Sequence, residues 1–94
     1  MQKEQLNIRF AQPSDTSVIF SFINELAVYE KMADQVIGNE MLLHEALFIK
    51  KHAEVILAEL DGIPVGFALF FHNFSTFQTR ANLYLEDLFV LKEY

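Results

Sequence analysis

"AEVILAELDGIPVGFALFF", residues 53–71, is the stretch on which the fold turns. Two runs rich in Val, Ile, Leu and Phe flank Asp61-Gly62. That dipeptide favours a two-residue turn with positive φ at both positions, so the stretch predicts a pair of long antiparallel strands. Apolar residues fill alternate and intervening positions (Val55, Ile56 and Leu57, then Val65, Phe67, Ala68, Leu69 and Phe70), which implies cover on both faces of the sheet. Pro64 suits a strand start, and Gly66 inside the second strand hints at a bulge.

Toward the N-terminus, "LNIRFA" (6–11) alternates as a strand does, and "QPSD" then breaks it, with Ser14 or Asp15 available as a helix N-cap. From there to about Tyr29, residues Val18, Ile19, Phe22, Ile23 and Leu26 recur at helical spacing and form one apolar stripe. "MADQVIG" (32–38) reads as a loop. Asn39 can cap a second, shorter helix running to roughly Phe48, with Met41, Leu42, Ala46 and Leu47 facing inward. Toward the C-terminus, "NFSTFQTR" (73–80) reads as a loop and a closing strand runs from about Asn82 to Leu91. The order is β-α-α-β-β-β, an α/β or α+β sheet flanked by helices.

Composition bounds the function. Ninety-four residues make at most one small domain, and 52% hydrophobic content with ten Phe marks it as globular. Thirteen acids against seven bases leave a net charge of −6, which disfavours a nucleic-acid partner; the acidity either serves solubility alone or suits a cationic partner. The chain has no Cys, no apolar signal core at its start and no run long enough for a membrane span, so a cytoplasmic location with no membrane partner is expected. His44, His52 and His72 lack metal-ligand spacing, no metal site is expected, and the serines lack a nucleophile-elbow context.

The chemistry-bearing residues are acids in apolar company. Glu86 and Asp87 stand side by side in "LYLEDLFVLKEY" (83–94). Plain alternation puts Glu86 with Tyr84, Leu88 and Val90 on one face, and Asp87 with Leu85, Phe89 and Leu91 on the other; a bulge after the pair would change that. One acid could simply bond a neighbouring backbone while the other meets solvent. Alternatively, a carboxyl in apolar surroundings has its pKa raised toward neutrality and suits taking a proton or holding a cation. Glu30 falls on the apolar stripe if the first helix reaches it. Either the helix ends by Tyr29 and Glu30 lies in a loop, or Glu30 faces a cavity where a cation waits.

"IRFAQPSD", "INELAVYEKMADQV", "AELDGIPVGFALF" and "LYLEDLFVLKEY" together resemble the GNAT acetyltransferase superfamily, in order and over essentially the whole chain. Within it, "ELAVYE" and "LYLEDLFV" resemble the diamine (spermidine/spermine) acetyltransferases. The resemblance implies a mainly antiparallel GNAT-like sheet with flanking helices, acetyl-CoA as cosubstrate, a small cationic di- or polyamine as substrate, and a homodimer. It also implies that Tyr29, Glu30 and Glu86 contact the amine with Asp87 beside them. Leu88, Phe89 and Val90 would lie along the pantetheine arm where the fourth strand bulges and splays. Glu86 would be the water-mediated base, and the Leu88 backbone N–H the donor to the developing oxyanion. The family's tyrosine acid and its glycine-rich pyrophosphate loop have no counterpart here, so residues 1–94 are expected to be the N-terminal half of one GNAT domain, truncated after the fourth strand and inactive alone. Two other readings remain open: a GNAT acting on another amine, such as a thialysine-like amino acid or a peptide, and a non-catalytic cation-binding or interaction module.

Overall fold

The computed structural model describes residues 5–36, 38–77, 79–91 and 93. Ile37 and Gln78, within the two expected loops, and Lys92 and Tyr94, within the closing segment, lie outside the described residues, as do residues 1–4. The order is β1 (Leu6–Phe10), α1 (Thr16–Tyr29), α2 (Glu40–His44), β2 (Glu54–Leu60), β3 (Ile63–Ser75) and β4 (Arg80–Val90). The strands form one sheet in the order β1-β2-β3-β4, every neighbouring pair antiparallel. The expected tight turn joins β2 to β3, with Asp61 at φ 53° and Gly62 at φ 82°.

α1 forms where the apolar stripe places it. Ile19 and Phe22 are buried, and Val18, Ile23 and Leu26 pack against the same core beside Leu47, Val55, Leu57 and Phe67. Asp15 occupies the N-cap position without capping the helix through its side chain. Its carboxylate instead accepts two bonds from the Arg9 guanidinium, at 2.7 and 3.0 Å, and one from the Gln12 N–H at 2.7 Å. Arg9 also meets Glu59 at 3.2 Å, so β1, the turn into α1 and β2 share one ion network.

Arg9 holds the Asp15 carboxyl below the usual carboxylate range, against an opposing push from burial. A depressed folded-state pKa gives stability that is present above the unfolded value of about 3.9 and lost as pH falls through the folded one. Asp15→Asn should therefore cost about 1.5–3 kcal/mol near neutral pH and flatten the loss of stability below about pH 4. Thermal melts of both proteins between pH 2 and 7 check this; parallel pH profiles would contradict it.

The second helix departs from expectation. Asn39 caps it, its side chain accepting the Leu42 N–H at 2.9 Å. After His44, however, the chain widens into a turn of π-helix over Glu45–Ile49, closed by Lys50 N–H donating to the Glu45 carbonyl at 2.8 Å. Leu47 is buried and Ala46 half-buried, while Met41 and Leu42, expected inward, lie exposed. The wider turn shifts the angular spacing, so the inward face does not continue the α-helical one.

The helices cover only one sheet face. Phe22 stacks on Phe67 with ring centroids 6.0 Å apart and meets Phe89 at 5.8 Å. On the opposite face Ile8, Phe10, Ile63, Leu85, Leu88 and Val90 are exposed. The expectation of cover on both faces is thus not met among the described residues. The expected loop at 73–80 is also shorter than expected. β3 and β4 stay paired out to Ser75 and Arg80, and the Phe71 and Tyr84 rings meet at 5.0 Å.

Two bulges set the faces. Ala58 pairs with Gly66 and Glu59 with Pro64, leaving Val65 as the extra residue beside the glycine that the sequence singled out. A Cβ on Gly66 would lie 2.7 Å from the Phe89 carbonyl oxygen, so the close approach of β4 requires glycine there. The second bulge falls at Glu86 itself: Leu69 pairs with Asp87 and Phe70 with Leu85.

Candidate functional site

The bulge at Glu86 corrects the face assignment made by plain alternation. Tyr84, opposite Phe71, now shares the helix-side face with Asp87 and Phe89, while Leu85 joins Leu88 and Val90 on the open face. One unpaired residue shifts the phase of everything after it. The bulge therefore sits between Leu85 and Asp87 instead of after the acid pair, and it turns Asp87 toward the end of α1.

That end carries the other expected residues. α1 stops at Tyr29, and Glu30 is the C-cap residue, its N–H donating to the Leu26 carbonyl at 3.0 Å. Glu30 therefore leaves the apolar stripe by helix termination and is exposed. Both Glu30 and Glu86 nevertheless lie close enough to act on Asp87. The Asp87 carboxyl is pushed above the usual carboxylate range, chiefly by burial and further by the charges of Glu86 and Glu30. With a raised folded-state pKa, Asp87 holds its proton more tightly in the folded chain, and its ionisation opposes folding as pH rises through that range. A cation placed among the three acids reverses the effect.

An open cleft of about 880 Å³ lies between α1 and the C-terminal end of β4. Tyr29, Leu88, Phe89 and Val90 line it, together with Leu91, so four of the expected site residues meet in one place. Glu30, Glu86 and Asp87 are not among its lining residues; they form an acidic group at the end of α1. Ser21, Asn24, Glu25, Val28 and Glu93 also line the cleft and were not singled out from the sequence. Their spacing of three and four residues before Tyr29 is the signal that would have found the helical ones, since residues so spaced share one helix face. Among the described residues no group of three or more His, Cys, Asp or Glu could hold a metal ion. No helix there is long and apolar enough to cross a membrane.

β4 ends the sheet, so its outer backbone groups have no strand partner among the described residues. The cleft, with largely apolar walls bordered by Asn24, Glu25 and Glu93, lies beside this free strand edge.

No family model matches the chain. The chain is 36% identical over 96 aligned residues to thialysine N-epsilon-acetyltransferase of Bos taurus, covering 93% of this chain and 56% of that protein. It is 33% identical over 87 residues to the uncharacterized N-acetyltransferase YhfO of Bacillus subtilis (strain 168), covering 92% of this chain and 57% of that one. The crystal structure of a possible acetyltransferase from Clostridium difficile 630 shares the fold with a TM-score of 0.73 at 19% identity, over 95% of this chain and 59% of that one. The fold is that of the GNAT acetyltransferases, and the relatives that the chain resembles in sequence are N-acetyltransferases. It spans a little over half the length of the relatives it matches.

Proposed function

We propose that this chain supplies the amine-binding side of an acetyl-CoA-dependent N-acetyltransferase whose substrate is a small di- or polyamine. One observation supports this reading above the others: Glu30, Glu86 and the half-buried Asp87 gather at the C-terminal end of α1, the negative end of the helix dipole, where an ammonium group offsets their mutual repulsion. Tyr29, 81% exposed, offers its ring beside them.

In the proposed reaction the neutral amine attacks the thioester carbonyl, the C–N bond forms and the C–S bond breaks, and the departing CoA thiolate takes up the proton that the newly bonded nitrogen loses. Glu86, through a water, takes the proton that the substrate ammonium must first lose. The Leu88 backbone N–H donates to the oxygen on which negative charge develops, while the Leu88, Phe89 and Val90 segment borders the pantetheine. Acetyl-CoA supplies the activated acetyl group.

The names of the relatives favour a second reading, a thialysine-like amino acid as acceptor. Such a substrate presents its side-chain amine but also carries an α-carboxylate. The three acids, with Glu25 and Glu93 in the adjoining cleft, disfavour that carboxylate nearby and so favour an amine without one.

In the complete enzyme, Glu30→Gln and Glu86→Gln should each raise KM for a diamine several-fold. Glu86→Gln should also lower kcat by about 10²-fold, with KM for acetyl-CoA little changed. Steady-state kinetics over a panel of diamines, polyamines and thialysine checks both the roles and the substrate class. Unchanged constants in both variants would remove these acids from the site. The absence of any acetyl-CoA consumption would favour a non-catalytic cation-binding module.

A further inference from the structure

α2 has only five residues, too few to hold a helix by themselves, and Met41 and Leu42 on it are exposed. A polar contact ties its end to α1. His44, the last residue of α2, brings its ring Nδ1 within 3.0 Å of the hydroxyl oxygen of Thr16, the buried first residue of α1. The same ring meets that of Phe48, with centroids 5.5 Å apart, where the chain enters the π turn.

The hydroxyl's single proton fixes the direction of that contact. Thr16 Oγ1 lies 2.9 Å from the Pro13 carbonyl oxygen, which also accepts the Thr16 N–H. A carbonyl cannot donate, and two oxygens this close repel unless a proton lies between them, so the hydroxyl proton is committed to Pro13. Toward His44 the same oxygen can only accept, and the ring Nδ1 must therefore carry a hydrogen. Neutral His44 then holds its one ring proton on Nδ1 and leaves Nε2 bare. When Nε2 gains a proton at lower pH, the bond from Nδ1–H to Oγ1 is untouched. In the opposite tautomer Nδ1 would accept from the hydroxyl, and the same protonation would break the bond.

We infer that His44 is a latch: as the Nδ1–H tautomer it donates to Thr16 Oγ1 and holds α2 against the start of α1 in both its neutral and its charged form. Its charged surroundings agree with this. Glu40, one turn back on α2, lines the same shallow hollow as Thr16 and His44, so a second ring proton adds attraction there. On the α1 side the neighbouring Asp15 carboxylate is engaged by Arg9, and Glu45, next along the chain, is paired with Lys50. The segment that leaves α1 at Glu30 runs into α2, so the latch also fixes the far end of the segment that starts at that acid.

Nuclear magnetic resonance of the complete enzyme, with heavy nitrogen in its histidines, reads the tautomer directly. At about pH 8, where histidine side chains are ordinarily neutral, the His44 nitrogen coupled to both carbon-bound ring protons, Nε2, should be the bare one, and Nδ1, coupled to Hε1 alone, the protonated one. Thr16→Val should move the ring toward the Nε2–H form that a free histidine side chain prefers, and Thr16→Ser should restore the Nδ1–H form. Amide hydrogen exchange in α2 should be about three- to tenfold faster in Thr16→Val than in the parent or in Thr16→Ser. In the parent its protection should be the same at about pH 5 as at about pH 8. The latch is overturned if Nδ1 is the bare nitrogen in the parent, if Thr16→Val leaves the tautomer unchanged, or if the protection of α2 is lost as the ring gains its second proton.

Discussion

Phe22→Ala should leave the chain largely unfolded under conditions in which the parent is folded. Phe22 is buried on α1 and joins the helix to two strands at once, through Phe67 on β3 and Phe89 on β4. Truncating a core phenylalanine costs about 3–5 kcal/mol, and stacked rings contribute about 0.5–1.5 kcal/mol beyond the area they bury. A domain of this size has roughly 5–14 kcal/mol in total, and a sheet with one uncovered face sits toward the lower end. In urea the midpoint should fall by about 2 M, given a slope near 2 kcal/mol per molar. Phe74→Ala, which removes an exposed ring, should shift it by less than about 0.3 M. A similar small shift for Phe22→Ala would mean that the three-ring contact does not hold α1 to the sheet.

The second large effect concerns the open sheet face. Ile8 and Phe10 on β1 and Leu85, Leu88 and Val90 on β4 are exposed at the two margins of the open face, and the cross-strand row Phe10, Ile56, Ala68, Leu88 joins them into one apolar surface. Each such side chain gains about 1.5–3 kcal/mol on full burial, so the 94-residue chain by itself should self-associate at tens of micromolar. Ile8→Glu with Leu85→Glu should weaken that association at least tenfold. Phe89 is unsuitable for this purpose, although alternation paired it with Leu85, because its ring belongs to the core with Phe22 and Phe67. Sedimentation equilibrium distinguishes the cases: an unmutated chain that remains monomeric at these concentrations would contradict the expectation.

Much of the fold was legible in the sequence because its signals are local. Asp61-Gly62 specified the turn through its own backbone preference, and the stripe from Val18 to Leu26 specified α1 through helical spacing. The acids at 30, 86 and 87 were identifiable because a carboxylate is conspicuous in an apolar run. The errors arose where a distant partner decides. Met41 and Leu42 were read inward because nothing local announces the π turn that follows His44. Cover on both sheet faces was read from apolar content, which cannot reveal how many faces the helices reach.

What the sequence by itself determined is therefore the order of elements, the hairpin turn, the helical core stripe and the presence of acids in apolar company. Tertiary structure alone decided which face each residue of β4 takes. Because Glu86 opposes no residue on β3, Asp87 comes to lie beside Leu69 on the helix side, with Leu85 on the other face. The physical reason is that side-chain direction follows position in the cross-strand ladder. That ladder is set by hydrogen bonds to another strand, with the partners at the bulge, Phe70 with Leu85 and Leu69 with Asp87, distant in sequence, and no window along β4 records where it slips.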